Sequence, residues 1–232
     1  MKYIAIIQVI ILLHLSSIMA YSKAGFESFH EDTIGVSVWL SGKDANGSST
    51  VSPRLCSYQF PIRNNEPSGN SDTILNEQMV FVKKVFDALD SIRMGGPSGK
   101  ALIERLYEMP ACIRISYSRS RNAADGESAS FLLWNPDLKV SVPDRTGNQS
   151  RPAFIGLAHE LAHMLDFYQG TLDQRTWKKI SVDGVRYSIK RSERFAVYME
   201  NNIRLENGFP VREFYGLDDE GKGFLRMPLV SK

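Results

Sequence analysis

From Ser71 onward, apolar residues recur every three or four positions. Ile74, Leu75, Val82, Val85, Phe86, Leu89 and Ile92 fall on one face, which predicts an amphipathic helix capped by Ser71 or Asp72, running to about Arg93 and stopped by Gly95 and Gly96. A second capped helix is expected over Ser98–Met109. Two segments then read as strands, Ala111–Tyr117 (ACIRISY) and Ala129–Trp134 (ASFLLW), joined by a polar loop with a turn at Asp125-Gly126. Asn135-Pro136 closes the second strand, and Lys139–Arg151 reads as a polar connection. Pro152–Gly170 (PAFIGLAHELAHMLDFYQG) has a proline suited to a first turn and a glycine suited to a stop, with no charge between Ala153 and Ala158. It predicts a helix buried on most of its surface. Beyond it, KISVDGVRYSI alternates Ile180, Val182 and Val185, Tyr187, Ile189 about Asp183-Gly184, a strong hairpin pattern. A last helix is expected from about Ser192 to Glu206, ended by Asn207-Gly208 and Pro210. Before Ser71, residues 21–70 are irregular and rich in Ser, Gly, Asn and Pro, with strand-like pieces at Ile34–Leu40 and Cys56–Phe60.

Composition narrows the class. The first twenty residues, MKYIAIIQVIILLHLSSIMA, combine one lysine with an apolar run from Ile4 to Leu15 too short for a comfortable membrane span. They read as a secretory signal peptide, with cleavage after Ala20 or, with the better small-residue pair Ser22 and Ala24, after Ala24. The expected organisation is therefore a signal peptide over residues 1–24 and one domain over 25–232, in a protein that is secreted or periplasmic and off the membrane once cleaved. A net charge of +2 without a long Lys/Arg run gives no electrostatic case for nucleic acid. Cys56 and Cys112 are too far apart for a CxxC site; in an exported chain they can pair or remain two buried thiols. The stretch GGPSGKALIERLYEM looks like a phosphate loop but is not one. Met94 stands where its first glycine belongs and Ala101 where its hydroxyl belongs.

The chemistry lies in the buried helix. His159 and His163 are four residues apart and so share a helix face, where both imidazoles can close on one metal ion; Glu160 stands beside that ion and not on it. In zinc hydrolases the metal acidifies water and such a glutamate takes the proton. The cofactor expected is Zn²⁺. A catalytic zinc site takes three protein ligands. His30 is remote in sequence, and the HExxHxxGxxH pattern is absent because Asp166 and Gln169 replace its glycine and third histidine. The final helix, with Glu193 and Glu200 seven apart on one face, is the natural donor. Asp166 is placed to orient His163 or nearby backbone.

The combination of GLAHELAHMLDFYQG with MENNIRLENGFPVREFYG resembles the NleD-type effector metallopeptidases, which carry HELxHA followed by ENxxRxExGxPxRxxY. Here the second segment reads Glu200, Asn201, Arg204, Glu206, Gly208, Pro210, Arg212, Tyr215. The resemblance spans roughly Gly99 to Tyr215. It implies an α+β, zincin-like fold, a zinc ion and proteolysis of protein substrates, with His159, Glu160 and His163 in the motif roles. Members of that kind are often injected into host cells and cut signalling kinases; an apparent signal peptide departs from that pattern.

The expected function is a zinc-dependent endopeptidase acting on protein or peptide substrates, with Glu160 as general base and Zn²⁺ on His159, His163 and Glu193. Glu193 is preferred to Glu200 because Ala196 and Val197 follow it, allowing close approach to the histidine helix, whereas Arg204 stands four residues beyond Glu200 and favours an ion pair. The family segment itself contains Glu200. Tyr215 and Arg212 are both open as stabilisers of the oxyanion. Two rival readings remain, a zinc hydrolase of a cell-wall amide and a secreted zinc-binding module without turnover.

Overall fold

The computed structural model describes residues 33–40, 71–109, 113–127, 129, 131–139, 141–144, 147–182, 184–218 and 222–227. The signal peptide, His30, Cys56 and Cys112 lie outside them.

The described elements form an α+β arrangement in the order β1 (Thr33–Leu40), α1 (Ser71–Met94), α2 (Pro97–Glu108), β2 (Ile113–Ser118), β3 (Ala123–Ala124), β4 (Phe131–Trp134), β5 (Ser141–Asp144), β6 (Gly147–Ser150), α3 (Ala153–Tyr168), β7 (Thr176–Val182), β8 (Val185–Lys190), α4 (Glu193–Glu206), β9 (Phe214–Leu217) and β10 (Gly223–Arg226). Each helix lies within two residues of its expected bounds. No described helix is long and apolar enough to cross a membrane.

One sheet has the order β1-β2-β4-β3. β1 runs antiparallel to β2, but β2 and β4 run parallel, with Ile115 opposite Leu132. Parallel neighbours need a return path between them. The loop after Ser118 supplies it, and part of that loop, Ala123–Ala124, becomes the antiparallel edge strand beside β4. The expected turn at Asp125-Gly126 thus joins β3 to β4, and the Asp125 amide closes it on the Phe131 carbonyl at 3.1 Å. A second correction concerns Lys139–Arg151. It holds the β5–β6 hairpin, pairing Ser141 with Ser150 and Asp144 with Gly147; its polar composition hid a ladder stabilised by backbone bonds. The hairpin expected at Asp183-Gly184 is present as β7–β8, with Val182 opposite Val185 and Gly184 at φ 74.

Helices α1, α2 and α3 pack with this sheet around Val85, Ile92, Leu102, Ile115, Leu132 and Leu161, all buried. Gly99 lets α2 start against the end of α1. A Cβ there would lie 1.9 Å from the Ile92 carbonyl oxygen. This packing role, and no phosphate chemistry, accounts for the GGPSGK stretch.

Helix α3 is enclosed almost all round, every residue from Ile155 to Ala162 being buried. It is tied at both ends to the segment around β4. Trp134 Nε1 donates to the Ala153 carbonyl at 3.1 Å, and the Tyr168 hydroxyl donates to the Ala129 carbonyl at 3.0 Å. A helix held at both ends over a packed core cannot slide. The positions of His159, Glu160 and His163 are therefore set before any ligand arrives.

Candidate metal centre

Helix α4 packs directly on α3, and its Ala196, Val197 and Ile203 are fully buried. Small side chains at Ala158 and Ala162 on the facing helix, also fully buried, permit this approach. Its consequence is that Glu193, in the first turn of α4, faces both imidazoles. Glu193 Oε2 lies 3.2 Å from His159 Nε2, and Oε1 lies 3.4 Å from His163 Nε2. The two rings stand 5.0 Å apart, nearly perpendicular at 80°.

One ligand atom from each of His159, His163 and Glu193 can be chosen so that all lie within 4.8 Å of one another. Tetrahedral ligands about 2 Å from an ion are separated by roughly 3.3 Å, close to the nitrogen–oxygen distances here. Two neutral nitrogen donors and one carboxylate also form a donor set that suits zinc. The residues fit such an ion in both spacing and chemistry.

The environment is electrostatically tuned. Burial alone would pull the His159 pKa down, but hydrogen bonding to Glu193 and Glu200 outweighs it and raises the value to about 9. For Glu193, burial pushes upward while the hydrogen bonds from His159 and His163 hold it well below the usual carboxylate range. Both shifts describe one interaction seen from its two sides. Glu160 is buried beside His159, and among the described residues no hydrogen bond or ion pair engages its carboxylate.

Glu200 lies one ring away from the cluster. It is fully buried, and its Oε2 sits 3.0 Å from His159 Nδ1, on the side of the ring opposite Glu193. Arg204 Nε binds Oε1 at 3.1 Å, Arg212 Nη1 binds Oε2 at 3.1 Å, and Arg151 Nη1 lies 3.6 Å from Oε2. Burial disfavours the charged carboxylate, yet Arg212, followed by His159 and Arg151, keeps its pKa well below the ordinary value. The Glu200–Arg204 pair is the one its spacing predicts. What the spacing does not reveal is that this carboxylate also fixes the His159 ring: the Nδ1 proton is directed at Glu200, so that once the proton Nε2 shares with Glu193 is lost, the Nε2 lone pair faces Glu193 and His163.

The remaining positions of the Glu200–Tyr215 segment build a clasp. The Asn201 side chain accepts from the Arg212 amide at 2.7 Å and donates to the Arg212 carbonyl at 3.0 Å. Arg204 Nη1 also reaches the Pro210 carbonyl at 3.2 Å. Glu206 accepts from the Ser98 amide at the start of α2, at 3.0 and 3.1 Å. Gly208, at φ 74, takes the left-handed conformation that ends α4 and turns the chain back. Arg212 donates from Nη2 to the Tyr215 carbonyl, and its guanidinium lies 4.9 Å from the centre of the Tyr215 ring. The clasp delivers the Tyr215 hydroxyl to the cluster: burial raises its pKa, and the Glu193 carboxylate raises it further by charge and hydrogen bonding.

Of the residues singled out from sequence, His159, Glu160, His163, Glu193, Glu200, Arg212 and Tyr215 thus meet around one locus. Asp166 does not join them. Its carboxylate takes the Thr171 hydroxyl at 2.5 Å and its carbonyl takes the Thr171 amide at 3.1 Å, closing the end of α3. Arg151 was not anticipated, because a lone arginine before a helix carries no sequence signal of a partner in α4.

A family model described as Peptidase_M91, effector protein, matches residues 70–215. No curated protein and no solved structure matches the chain.

Proposed function

The chain belongs to the NleD-type effector peptidase family, and from that premise we propose that it is a zincin-like, zinc-dependent endopeptidase acting on protein substrates. The observation that carries the reading is the convergence of His159, His163 and Glu193, with the carboxylate of Glu160, unengaged among the described residues, on the residue next to His159.

His159, His163 and Glu193 would hold the zinc ion. Bound there, zinc supplies Lewis-acid chemistry, making water more acidic and a peptide carbonyl more electrophilic. Glu160 takes the proton of the attacking water on a carboxylate oxygen and returns it to the nitrogen of the leaving amine. No other partner competes for that oxygen among the described residues. Tyr215 keeps its phenolic proton at neutral pH, since burial and the Glu193 charge both oppose ionisation, and donates it as a hydrogen bond to the developing oxyanion. Arg212 acts through Tyr215, holding its ring and carbonyl while balancing Glu200. Glu200 maintains the tautomer of His159. The open edge of β3, beside α3, offers backbone groups to an extended peptide.

Export through the leader of residues 1–24, giving a secreted or periplasmic protein, belongs to the same reading. Metal analysis of the purified chain, combined with casein hydrolysis with and without a chelator, tests the function. One zinc per chain and chelator-sensitive cleavage are expected. Glu160→Gln should retain the metal and lose hydrolysis by about 10²-fold or more; near-native turnover in that variant at full occupancy would refute the mechanism.

A further inference from the structure

Between the two helices that supply the metal-facing residues, the chain makes a hairpin that the mechanism leaves unused. Residues 175–194 hold seven basic side chains (Arg175, Lys178, Lys179, Arg186, Lys190, Arg191, Arg194) against two acidic ones (Asp183, Glu193). This short stretch carries +5, whereas the whole chain carries +2, so the rest is net acidic. The basicity is local.

The register of β7 and β8 sorts these charges. Lys179 pairs with Ser188 and Ser181 with Arg186, and by alternation Lys190 shares their side. All five are exposed. Among the described residues, Lys179, Arg186 and Lys190 take part in no ion pair. The opposite face carries Lys178, Ile180, Tyr187 and Ile189, of which Ile189 is buried and Lys178 and Tyr187 are exposed. Each strand packs extensively only on the other among the described elements, so the basic face stands clear of the body.

At its foot the hairpin is anchored, with the Arg191 amide on the Arg175 carbonyl at 3.0 Å and the Ser192 amide on the Asp173 carbonyl at 2.9 Å. Glu193 follows at once. Beside this foot lies an open cavity of about 350 Å³ whose walls include Arg191, Arg194, Phe195 and Tyr198. Its two carboxylates are already engaged, Asp166 by Thr171 and Asp173 by Arg175. The hairpin that carries this row of cations thus ends at a cavity with two more cations and two aromatic rings, one residue from the metal-facing glutamate.

We propose that the basic face of the β7–β8 hairpin is a docking surface for an acidic stretch of the protein substrate, which it tethers beside the cleavage site. This rests on the endopeptidase reading and adds a substrate class to it. The charges face solvent, so they act by steering and by salt-sensitive attraction, and discriminate among substrates more than they contribute to chemistry.

Fluorescence anisotropy of a labelled dodecaglutamate peptide with the full chain tests the proposal. Saturable binding that weakens as salt rises is expected. The triple variant Lys179→Glu, Arg186→Glu, Lys190→Glu should weaken it at least tenfold, because three exposed charges change sign without touching the core. A variant with the same change in net charge elsewhere, Lys83→Glu, Lys100→Glu, Arg105→Glu, should bind within about twofold of the parent. Absence of binding, or equal loss in both variants, would overturn the idea. So would association with phosphatidylserine vesicles and not with dodecaglutamate, since the surface would then be a membrane contact. The peptide assay is repeated on Glu160→Gln in chelator, where docking should persist because it needs neither base nor metal. Cleavage of casein without peptide binding refutes the docking surface alone; peptide binding without cleavage refutes the enzymatic reading alone.

Discussion

Replacing Glu200 separates support from ligation. Its carboxylate is fully buried and serves Arg204 and Arg212 at 3.1 Å, His159 at 3.0 Å and Arg151 at 3.6 Å. Glu200→Ala leaves three guanidiniums around an uncharged gap, and Arg204 Nη2 already has no hydrogen-bond partner among the described residues. A single pair at such a distance is worth about 4 kcal/mol at an effective dielectric of 20. Three of these do not add, because each ion was also costly to desolvate. The expected loss is that of breaking a buried ion pair, about 3–5 kcal/mol, which is a large share of a typical total of roughly 5–15 kcal/mol. With a urea dependence of about 2 kcal/mol per molar, the unfolding midpoint in chelator falls by about 2 M. Glu193→Ala removes a carboxylate whose described ion-pair partners are the two imidazoles. In chelator its midpoint should fall by less than that of Glu200→Ala, because an imidazole can shed its proton where a guanidinium cannot, while zinc per chain falls to background. Glu200→Gln keeps an acceptor for the Nδ1 proton of His159 and should retain zinc with an affinity about 10–100-fold weaker. The reasoning is refuted if Glu200→Ala empties the site at unchanged stability while Glu193→Ala stays loaded.

Tyr215→Phe removes one hydroxyl and keeps the ring over Arg212; kcat should fall about 10²–10³-fold with zinc content and urea midpoint unchanged, and a large rise in KM at constant kcat would contradict a role confined to the transition state. In the metal-free chain, His159 has its pKa raised to about 9 from 6.5, so its contribution to stability is fully present below pH 6.5 and is lost as pH rises through about 9. Glu193 and Glu200 are shifted the other way, and their contribution is present above the ordinary value of 4.5 and lost on acidification. Urea midpoints in chelator should therefore peak between about pH 4.5 and 6.5 and decline by pH 9.5; a rise over that upper range would contradict the His159 assignment. Because zinc must displace the same proton, its apparent affinity should weaken about tenfold per unit as pH drops from 9 to 7, measurable by competition with a chromogenic chelator.

Short-range patterns were enough for much of this protein. The 3.6-residue period located α1, cap and stop residues located the other three described helices, and four-residue spacing alone put His159 and His163 on one face, because all of these depend only on geometry within a single helix. The i,i+4 pair of Glu200 with Arg204 was legible for the same reason. So was the hairpin at Asp183-Gly184, where two turn residues set the register of both strands. Partners that meet across the fold were not legible. Glu200 reaches His159 across 41 residues of sequence and Glu193 reaches it across 34, and which oxygen meets which ring nitrogen depends on how closely α4 settles on α3. Alanine at 196 favoured close approach, but only the packed helices assign Glu193 to the Nε2 side of His159 and Glu200 to the Nδ1 side. The same limit explains β3. Two alanines in a polar loop carry no strand signal of their own, and they become an edge strand because parallel β2 and β4 force the chain to return alongside them. Sequence by itself determined the helices, the face shared by His159 and His163, and the family; tertiary packing decided which carboxylate faces both imidazoles and which one holds the His159 ring, because those roles are set by contacts that exist only once distant segments meet.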